Sequence, residues 1–563
     1  MFGRVLIANR GEIAVRVIRA CRRLGLHSIA IYSEADRDAL HVRLADEAHP
    51  CGPARATESY LDRARVVDLA KRVGAEAVHP GYGFLSENAQ FAEAVTAAGL
   101  VFVGPSPDVM RTMGLKVESR EQMIRAGVPV VPGGDAIESL EGAREAAAAL
   151  GYPVLVKASA GGGGRGMRLV EDESELESAL ERGRSEAESA FGDGSIYLEK
   201  YLLSPRHIEI QILADGHGNV IHLGERECSI QRRHQKLVEE APAFGLDESL
   251  RETMGEAAVR AARSVDYVGA GTCEFLLDAR GDFYFLEMNT RIQVEHPVTE
   301  AVTGIDLVEM QLRIAAGERL PFAQSDIALR GHAIEARIYA EDPDKGFVPS
   351  PGRIEAFSAP GGPGIRLDSG FEAGQIVSSH YDPMIAKLIA RGHDREEARG
   401  RLAAALEEFQ IAGLRTGLPF LRRLVDHPVF RAGAYDTGFI DERMGDGPDA
   451  LEPALRERVF ALVGLAAAQA EEAADDGSLR FEIALPKEPA ALVEVVSAQR
   501  PFEIRVDERS VVLDLSGEDG VVLTLLGAGE VVRLSLVAKK KGIYEVGLRD
   551  RLLRVKCEAI QED

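Results

Sequence analysis

Short apolar strand-like runs at residues 5–8, 28–32, 77–79 and 101–104 alternate with helical stretches such as 12–23, the layout of a parallel, doubly wound α/β unit over residues 1–113. Residues 114–203 read as a smaller α/β unit: a strand at 154–158, a glycine-rich segment at 161–166 and a second strand at 167–170. A larger α+β unit follows at 204–446, then a linker at 447–453 rich in Pro, Gly and Asp. After it an Ala-rich helix at 454–474 leads into period-two strands at 491–496, 502–506, 511–515, 521–526, 531–537, 543–548 and 552–557, separated by glycines. That spacing predicts a small antiparallel barrel or sandwich at 454–563.

One segment departs from core patterning. Glu287, Asn289, Arg291, Gln293 and Glu295 occupy every second position behind an apolar strand, so they share a face if the segment stays extended. Residues 272–277 and 283–287 flank the turn-like 279–282 and predict an antiparallel hairpin with a loop of two or four residues. Either loop places Glu274 opposite Glu287, where two bare carboxylates repel. A divalent cation removes the conflict, and Mg²⁺ favours one or two carboxylates together with substrate phosphates. The alternative is a pair of solvated glutamates.

Charge narrows the partners. In 563 residues, 66 Lys and Arg stand against 90 Asp and Glu, a net −24 that disfavours nucleic acid or an anionic membrane as the main partner. Five scattered cysteines with no C-x-x-C pair argue against a disulfide framework or a zinc site and suit a reducing cytoplasm. No apolar run approaches a membrane span.

Further candidates lie in the middle of the chain. Gly161, Gly163 and Gly166 satisfy G-x-G-x-x-G, but a strand rather than a helix follows, so the segment reads as a hairpin whose backbone N–H groups close over phosphates. Lys157, in an apolar strand, either meets an anionic ligand or snorkels out. The run from Gln231 to Lys236 is an anion site or a solvated face, and residues 79–84 are an active loop at a strand's carboxyl end or merely a tight turn.

Taken together, residues 7–14, 79–88, Lys157 with 161–166, 232–236 and 287–297 resemble biotin carboxylase, an ATP-grasp enzyme, over about residues 1–446. The resemblance implies ATP-dependent carboxylation of biotin by bicarbonate through carboxyphosphate. It implies ATP contacts from Lys116, Lys157, Gly162, Gly163, Gly164, Met167, His207, Gln231, His234 and Leu276, with Glu199, Lys200 and Leu202 around the adenine. Glu274, Glu287 and Asn289 would hold Mg²⁺, or Mn²⁺ in its place; Arg291, Gln293, Val294 and Lys236 would bind bicarbonate; Glu295 would be its general base. Tyr82 and Arg337 would face biotin, Arg337 stabilising the enolate formed when N1′ loses its proton. Ala160 and Leu115 depart from the usual residues without removing a named group.

Residues 379–388 look most like acyl-CoA carboxylase α subunits, and 454–563 resembles, by architecture, the BT domain that docks the carboxyltransferase β subunit. The family's biotin acceptor is a Lys in Ala-Met-Lys-Met, yet none of the ten Met residues precedes a Lys, so biotin is expected on a separate carrier protein unless this sequence is part of a longer chain. A homo-oligomer within a larger cytoplasmic complex is the expected setting. Two competing readings are another ATP-grasp carboxylate-activating ligase, against which Arg337, Tyr82 and the 291–295 cluster weigh, and a non-catalytic scaffold, against which the intact set of Glu274, Glu287, Arg291, Glu295 and Arg337 weighs.

Overall fold

The computed structural model describes residues 2–560 apart from 134–136, 138, 159–166, 192–193, 446–450, 471–478, 487, 498–499, 517–520, 528–529, 541 and 549–550. The glycine segment, including Gly162, Gly163 and Gly164, and most of the linker therefore lie outside the described residues. The chain divides into two compact units: 1–337 with 387–399 and 429–443, and 338–386 with 400–428 and 444–563. Among the described residues no helix is long and apolar enough to cross a membrane. All five cysteines are buried free thiols.

The first unit opens with a parallel sheet of β1 (Arg4–Ile7), β2 (His27–Ser33), β3 (Glu47–Gly52), β4 (Ala77–His79) and β5 (Val101–Phe102) in the order β3-β2-β1-β4-β5. Strand β3 was not expected: its sequence, Glu-Ala-His-Pro-Cys-Gly, lacks an apolar run, and Pro50 is tolerated because the strand lies at the sheet edge. The segments after β1 and β4 meet at their carboxyl ends, where Asn9 donates from Nδ2 to the carbonyls of Pro80 and Tyr82, both at 2.7 Å.

A small sheet follows, ordered β7-β6-β8, from β6 (Val154–Ala158), β7 (Arg168–Val170) and β8 (Ile196–Lys200). Strands β6 and β7 are antiparallel, as the hairpin reading required. Seven adjacent strands of the eight-stranded large sheet run β13-β12-β9-β10-β11-β14-β15, from β9 (Arg206–Ala214), β10 (Val220–Arg232), β11 (Gln235–Ala241), β12 (Gly269–Leu277), β13 (Phe283–Asn289), β14 (His332–Tyr339) and β15 (Met384–Gly392). One face of β9 and β12 is core: Ile208, Ile210, Cys273, Phe275 and Leu277 pack with Met254 and Ala258 of the helix Glu248–Arg263. The other face carries polar side chains.

In the second unit residues 479–559 close an eight-stranded antiparallel barrel, which settles barrel over sandwich. The strand Leu479–Ala484 adds one to the expected set; its signal was present, since Phe481 and Ile483 are buried and alternate with Arg480 and Glu482. The helix Pro453–Ala470 has no polar face along its middle: Val459 to Leu465 are all buried, and they join the barrel's inward residues Phe481, Val493, Ile504 and Leu534 in one core. A helix apolar all round must be buried on all sides, and the barrel supplies that environment. A Cβ on Gly464 would stand 2.6 Å from Val493 Cγ1, so the helix approaches the wall with no room for a side chain. Gly464→Leu should therefore lower the barrel's stability by about 1–3 kcal/mol despite a helix-propensity gain of about 1 kcal/mol; denaturant midpoints of the two proteins check this, and an unchanged midpoint would mean the wall yields freely.

Candidate active site

The β12–β13 hairpin sets the site. Glu274 stands opposite Glu287, as expected, but by a different route. The loop is five residues, Asp278 to Asp282, with Leu277 paired to Phe283, and Asp278 Oδ1 accepts from the N–H groups of Arg280 and Asp282. The register then shifts by one between Glu274 and Phe275, leaving Leu286 as the extra residue of a bulge. The bulge restores the register that an odd-numbered loop would have broken. On the other side of β12, Glu209 of β9 is the partner of Glu274, and His207 of Leu276. Glu209, Glu274 and Glu287 thus form a row across three strands, buried at Glu209 and Glu274 and open to solvent at Glu287.

The extended segment ends at Asn289, and residues 290–295 bend and turn into the helix His296–Thr303. Strict alternation therefore covers Glu287 and Asn289 only. The turn nonetheless returns Gln293 and Glu295 to the carboxylate row: Gln293 Nε2 donates to Glu274 Oε1 at 2.7 Å and Asn289 Nδ2 to the same oxygen at 2.9 Å. Arg291 pairs with Glu87 at 3.0 Å and donates to Asn289 Oδ1 at 2.7 Å, so Asn289 presents its NH₂ rather than its oxygen to Glu274. Val294 offers its carbonyl to Lys387 Nζ at 2.7 Å.

Two cations hold this floor. Lys236 Nζ donates to Glu209 (2.5 Å), Glu274 (3.0 Å) and Glu295 (2.7 Å). Burial alone would lower its pKa, but the three carboxylates hold it well above the usual lysine range. Arg226 is fully buried, and its five N–H donors meet five acceptors: Glu209 (2.5 Å), Gln211 (2.6 Å), Thr299 (3.0 Å), Thr272 (3.1 Å) and Gln293 (2.5 Å). It ties the sheet to the 293–299 segment and fixes the amide of Gln293. On the far side Arg337 Nη2 lies 2.9 Å from Glu295 Oε2 and 2.5 Å from Glu239 Oε1.

The carboxylates consequently differ. Glu295 is buried, which would raise it, yet Lys236, Arg337 and Arg226 hold it well below the usual carboxylate range. Glu274 is likewise lowered against burial by Lys236 and by His207, whose Nε2 is 2.9 Å away. Glu287 is shifted up, first by the desolvating cleft and then by Glu274, an effect softened by its exposure.

Other expected residues take up positions around this centre. Tyr82 donates its hydroxyl to Glu12, and Lys387 reaches Glu12 at 3.2 Å. Lys157 pairs with Glu199, and Lys116, exposed at the start of the helix Lys116–Arg125, feels the charges of Lys157, Glu287 and Glu199. Lys200 is committed to structure, its Nζ donating to the carbonyls of Gly151 (2.6 Å) and Tyr152 (3.1 Å). The cationic run divides: Gln231 pairs in register with Lys236, whose side chain is largely buried, while Arg233 and His234 form an exposed two-residue turn at φ +47° and +66°. Leu276 shares the Glu274 face; Met167 and Leu202 are half-buried at the ends of β7 and β8.

Four residues of the network escaped the sequence reading. Glu209 had a signal, standing two from His207 and two from Gln211 on one face; so did Lys387, a charge inside an apolar run. Arg226 and Glu239 had none that periodicity could supply.

Comparison with known proteins fits this geometry. Residues 1–110 match the family described as biotin carboxylase, N-terminal domain, 116–323 the carbamoyl-phosphate synthase L chain ATP-binding domain, and 335–442 the biotin carboxylase C-terminal domain. The chain is 55% identical over 445 residues to a biotin carboxylase of Halalkalibacterium halodurans, covering 79% of this chain and 98% of that protein. It is 52% identical to biotin carboxylase 2 of Bacillus subtilis, over 79% of this chain and all of that one. It is also 52% identical to the alpha chain of the mitochondrial methylcrotonoyl-CoA carboxylase of Mus musculus, where it spans only 62% of the relative. The solved biotin carboxylase domain dimer of Hydrogenobacter thermophilus 2-oxoglutarate carboxylase, in complex with MgADP, ADP and bicarbonate, superposes with a TM-score of 0.76 at 51% identity, over 80% of this chain and all of that one. With its domains matched in order through residue 442, and 55% identity over 445 residues that span nearly the whole length of a biotin carboxylase, the chain belongs to the biotin carboxylase family.

Proposed function

We propose that the carboxylate floor and its two cations carry the reaction as follows. The protein carboxylates biotin with bicarbonate, using ATP and Mg²⁺, as one component of a carboxylase, with biotin presented by a partner. The observation that carries the residue assignment is Glu295, ionised and gripped between Lys236 and Arg337 beside the Glu274–Glu287 pair.

Bicarbonate binds at Arg291, Gln293, Val294 and Lys236, exchanging some of the internal contacts these groups now make. Glu295 accepts its proton as the oxygen attacks the γ-phosphorus, whose bond to the bridging oxygen breaks to release ADP and leave carboxyphosphate. A carboxylate held this firmly ionised is a modest base, so orientation supplies much of the effect. The facing carboxylates fit a hard divalent cation: they give oxygen donors side by side, Glu287 opens to solvent, and ligand atoms of His207, Glu209 and Glu274 lie within 4.8 Å of one another. Glu274 and Glu287 would hold Mg²⁺ or Mn²⁺, with Asn289 completing the set after its amide turns over; when bound, the ion neutralises phosphoryl charge. Lys116, Lys157, His207, Gln231, His234 and Leu276 bind ATP, with Gly162 to Gly164 and Met167 over its phosphates and Glu199, Lys200 and Leu202 about its adenine. Carboxyphosphate, once formed, passes its carboxyl group to N1′ of biotin; its C–O bond to the phosphate breaks and the released phosphate takes the N1′ proton, with Tyr82 and Arg337 facing the ureido ring and Arg337 countering the oxyanion.

We further assign the protein to an acyl-CoA carboxylase of the cytoplasm. There the barrel docks a carboxyltransferase β subunit, biotin arrives on a carrier protein, and copies of the chain associate. The support is the barrel's filled interior beside exposed apolar residues on its strands, Val512 and Val531 being 58% and 69% exposed.

Three outcomes test these assignments. Glu295→Gln should cut bicarbonate-dependent ATP turnover by about 10²–10⁴ while the KM for ATP barely moves; a variant with more than half the wild-type rate removes Glu295 from the role. Glu287→Lys places a cation beside Glu274 and should abolish Mg²⁺-dependent nucleotide binding in calorimetry while the far-UV spectrum stays native, whereas an unchanged binding enthalpy would make the two glutamates merely solvated. Val512→Glu combined with Val531→Glu should leave biotin-stimulated ATP hydrolysis intact while preventing co-purification with a carboxyltransferase; a complex of normal stoichiometry would end the docking assignment.

A further inference from the structure

Behind Arg337 lies a second pair of carboxyl groups that the reaction above does not use. Glu239 of β11 stands in register with Glu335 of β14, and both are wholly buried. Cross-strand partners have Cβ atoms about 5 Å apart, so the two carboxyls are immediate neighbours. Among the described residues Glu239 has one ionic contact, Arg337 Nη2 at 2.5 Å, and that same nitrogen is shared with Glu295. Neither oxygen of Glu335 has a hydrogen-bond donor among the described residues. The charged groups acting on the pair are Lys236 on β11, Arg337 on β14, Glu295 from the turn before the helix His296–Thr303, and Lys387 on β15. Lys387 is itself occupied by Val294 and by Glu12 of the helix Gly11–Leu24.

Two adjacent carboxylates in the interior, facing a guanidinium already divided between two anions, cannot both stay ionised. A proton on either supplies the missing donor: a neutral carboxylic acid carries one O–H and can give it to its ionised neighbour. We infer that Glu239 and Glu335 form a buried acid–carboxylate pair sharing one proton, and that this pair positions Arg337 and sets how much of its charge is left for the biotin ring. Burial pushes both groups up, Glu239 in spite of Arg337 and Glu335 in spite of Lys387, which agrees with that state. With one proton the pair presents a single negative charge to Arg337, and Glu295 presents the other. If the last proton were lost, a second charge on the pair would draw the guanidinium away from Glu295 and from the substrate. These are positioning residues acting through Arg337, and the inference rests on the placement of Arg337 at biotin given above.

The test uses the whole protein with MgATP, bicarbonate and free biotin. Glu335→Gln replaces the shared acid by a neutral donor of the same shape, so biotin-stimulated turnover at neutral pH should stay within about threefold of wild type. The wild-type fall in kcat/KM for biotin on the alkaline side, as the pair loses its last proton, should be absent from this variant. Glu239→Gln removes the anchor of Arg337 and should lower kcat/KM for biotin about tenfold or more, while biotin-independent ATP hydrolysis changes less than twofold. Infrared spectra supply a readout independent of activity: the wild-type minus Glu335→Gln difference should contain a carboxylic-acid C=O band at neutral pH. Absence of that band, an unaltered alkaline limb in Glu335→Gln, or equal loss of both activities in Glu239→Gln would overturn the inference. A wild type unstimulated by biotin would instead overturn the reading of the site, with the infrared difference still deciding whether the proton is shared.

Discussion

Everything at this site follows from a row of like charges that the sheet forces together. Glu209, Glu274 and Glu287 sit on three neighbouring strands in mutual register. Two unit charges about 5 Å apart repel by about 3 kcal/mol at an effective dielectric near 20, so a row of three, with Glu295 close by, could not stand without compensation. Lys236 touches three of the four and Arg226 one. Arg337 adds a third contact, on Glu295, and three cations against four anions still leave the row net negative, with the excess at Glu287, the exposed end. On the proposed assignment the cation and the polyphosphate take the open end, while the buried end is held by contacts within the protein itself. Arg226 makes the second half of that statement physical: with all five donors engaged, any rotation of Gln293 or Thr299 would leave a buried N–H unpaired.

Much of this was legible because the relevant signals were local. The alternation from Glu287 to Asn289, the β6–β7 hairpin, the parallel strands of the first domain and the barrel strands all have periods that a short window shows. The facing of Glu274 and Glu287 was legible too, but only because a five-residue loop and a bulge at Leu286 cancel. Other placements were hidden by the same device acting alone. Between His222 and Glu225 the β9–β10 register slips by one residue beside Gly224 at φ +81°, and that slip puts Arg226 on the face of Glu209. Between Ile230 and Gln231 the β10–β11 register slips again, leaving Leu237 as the extra residue, so that Lys236 and Glu239 turn to one side although they are three apart. A one-residue slip moves every later side chain to the other face, and nothing in hydrophobic periodicity announces it. Pairs joined across hundreds of residues, such as Lys387 with Glu12, were invisible for a simpler reason: a single sequence carries no contact information at that range.

The C-terminal barrel imposes a constraint of a different kind, and it decides where that domain can act. Eight strands enclose an interior only just wide enough for side chains, or for one small ligand where it is left empty. Here it is occupied by the middle of the helix Pro453–Ala470, and Gly464 marks the point where even a methyl group would collide with Val493. A packed interior of Val459, Phe460, Leu462 and Val463 against Phe481, Ile504 and Leu534 has the density of a core, not a pocket. The inward-facing positions are thus spent on stability, and the surface left for recognition is the outward face of the strands. That face keeps apolar residues such as Leu492, Val496, Val512 and Val531 exposed, where polar residues could have stood. Under the docking proposal, a partner of this barrel would lie against strands rather than enter a cleft.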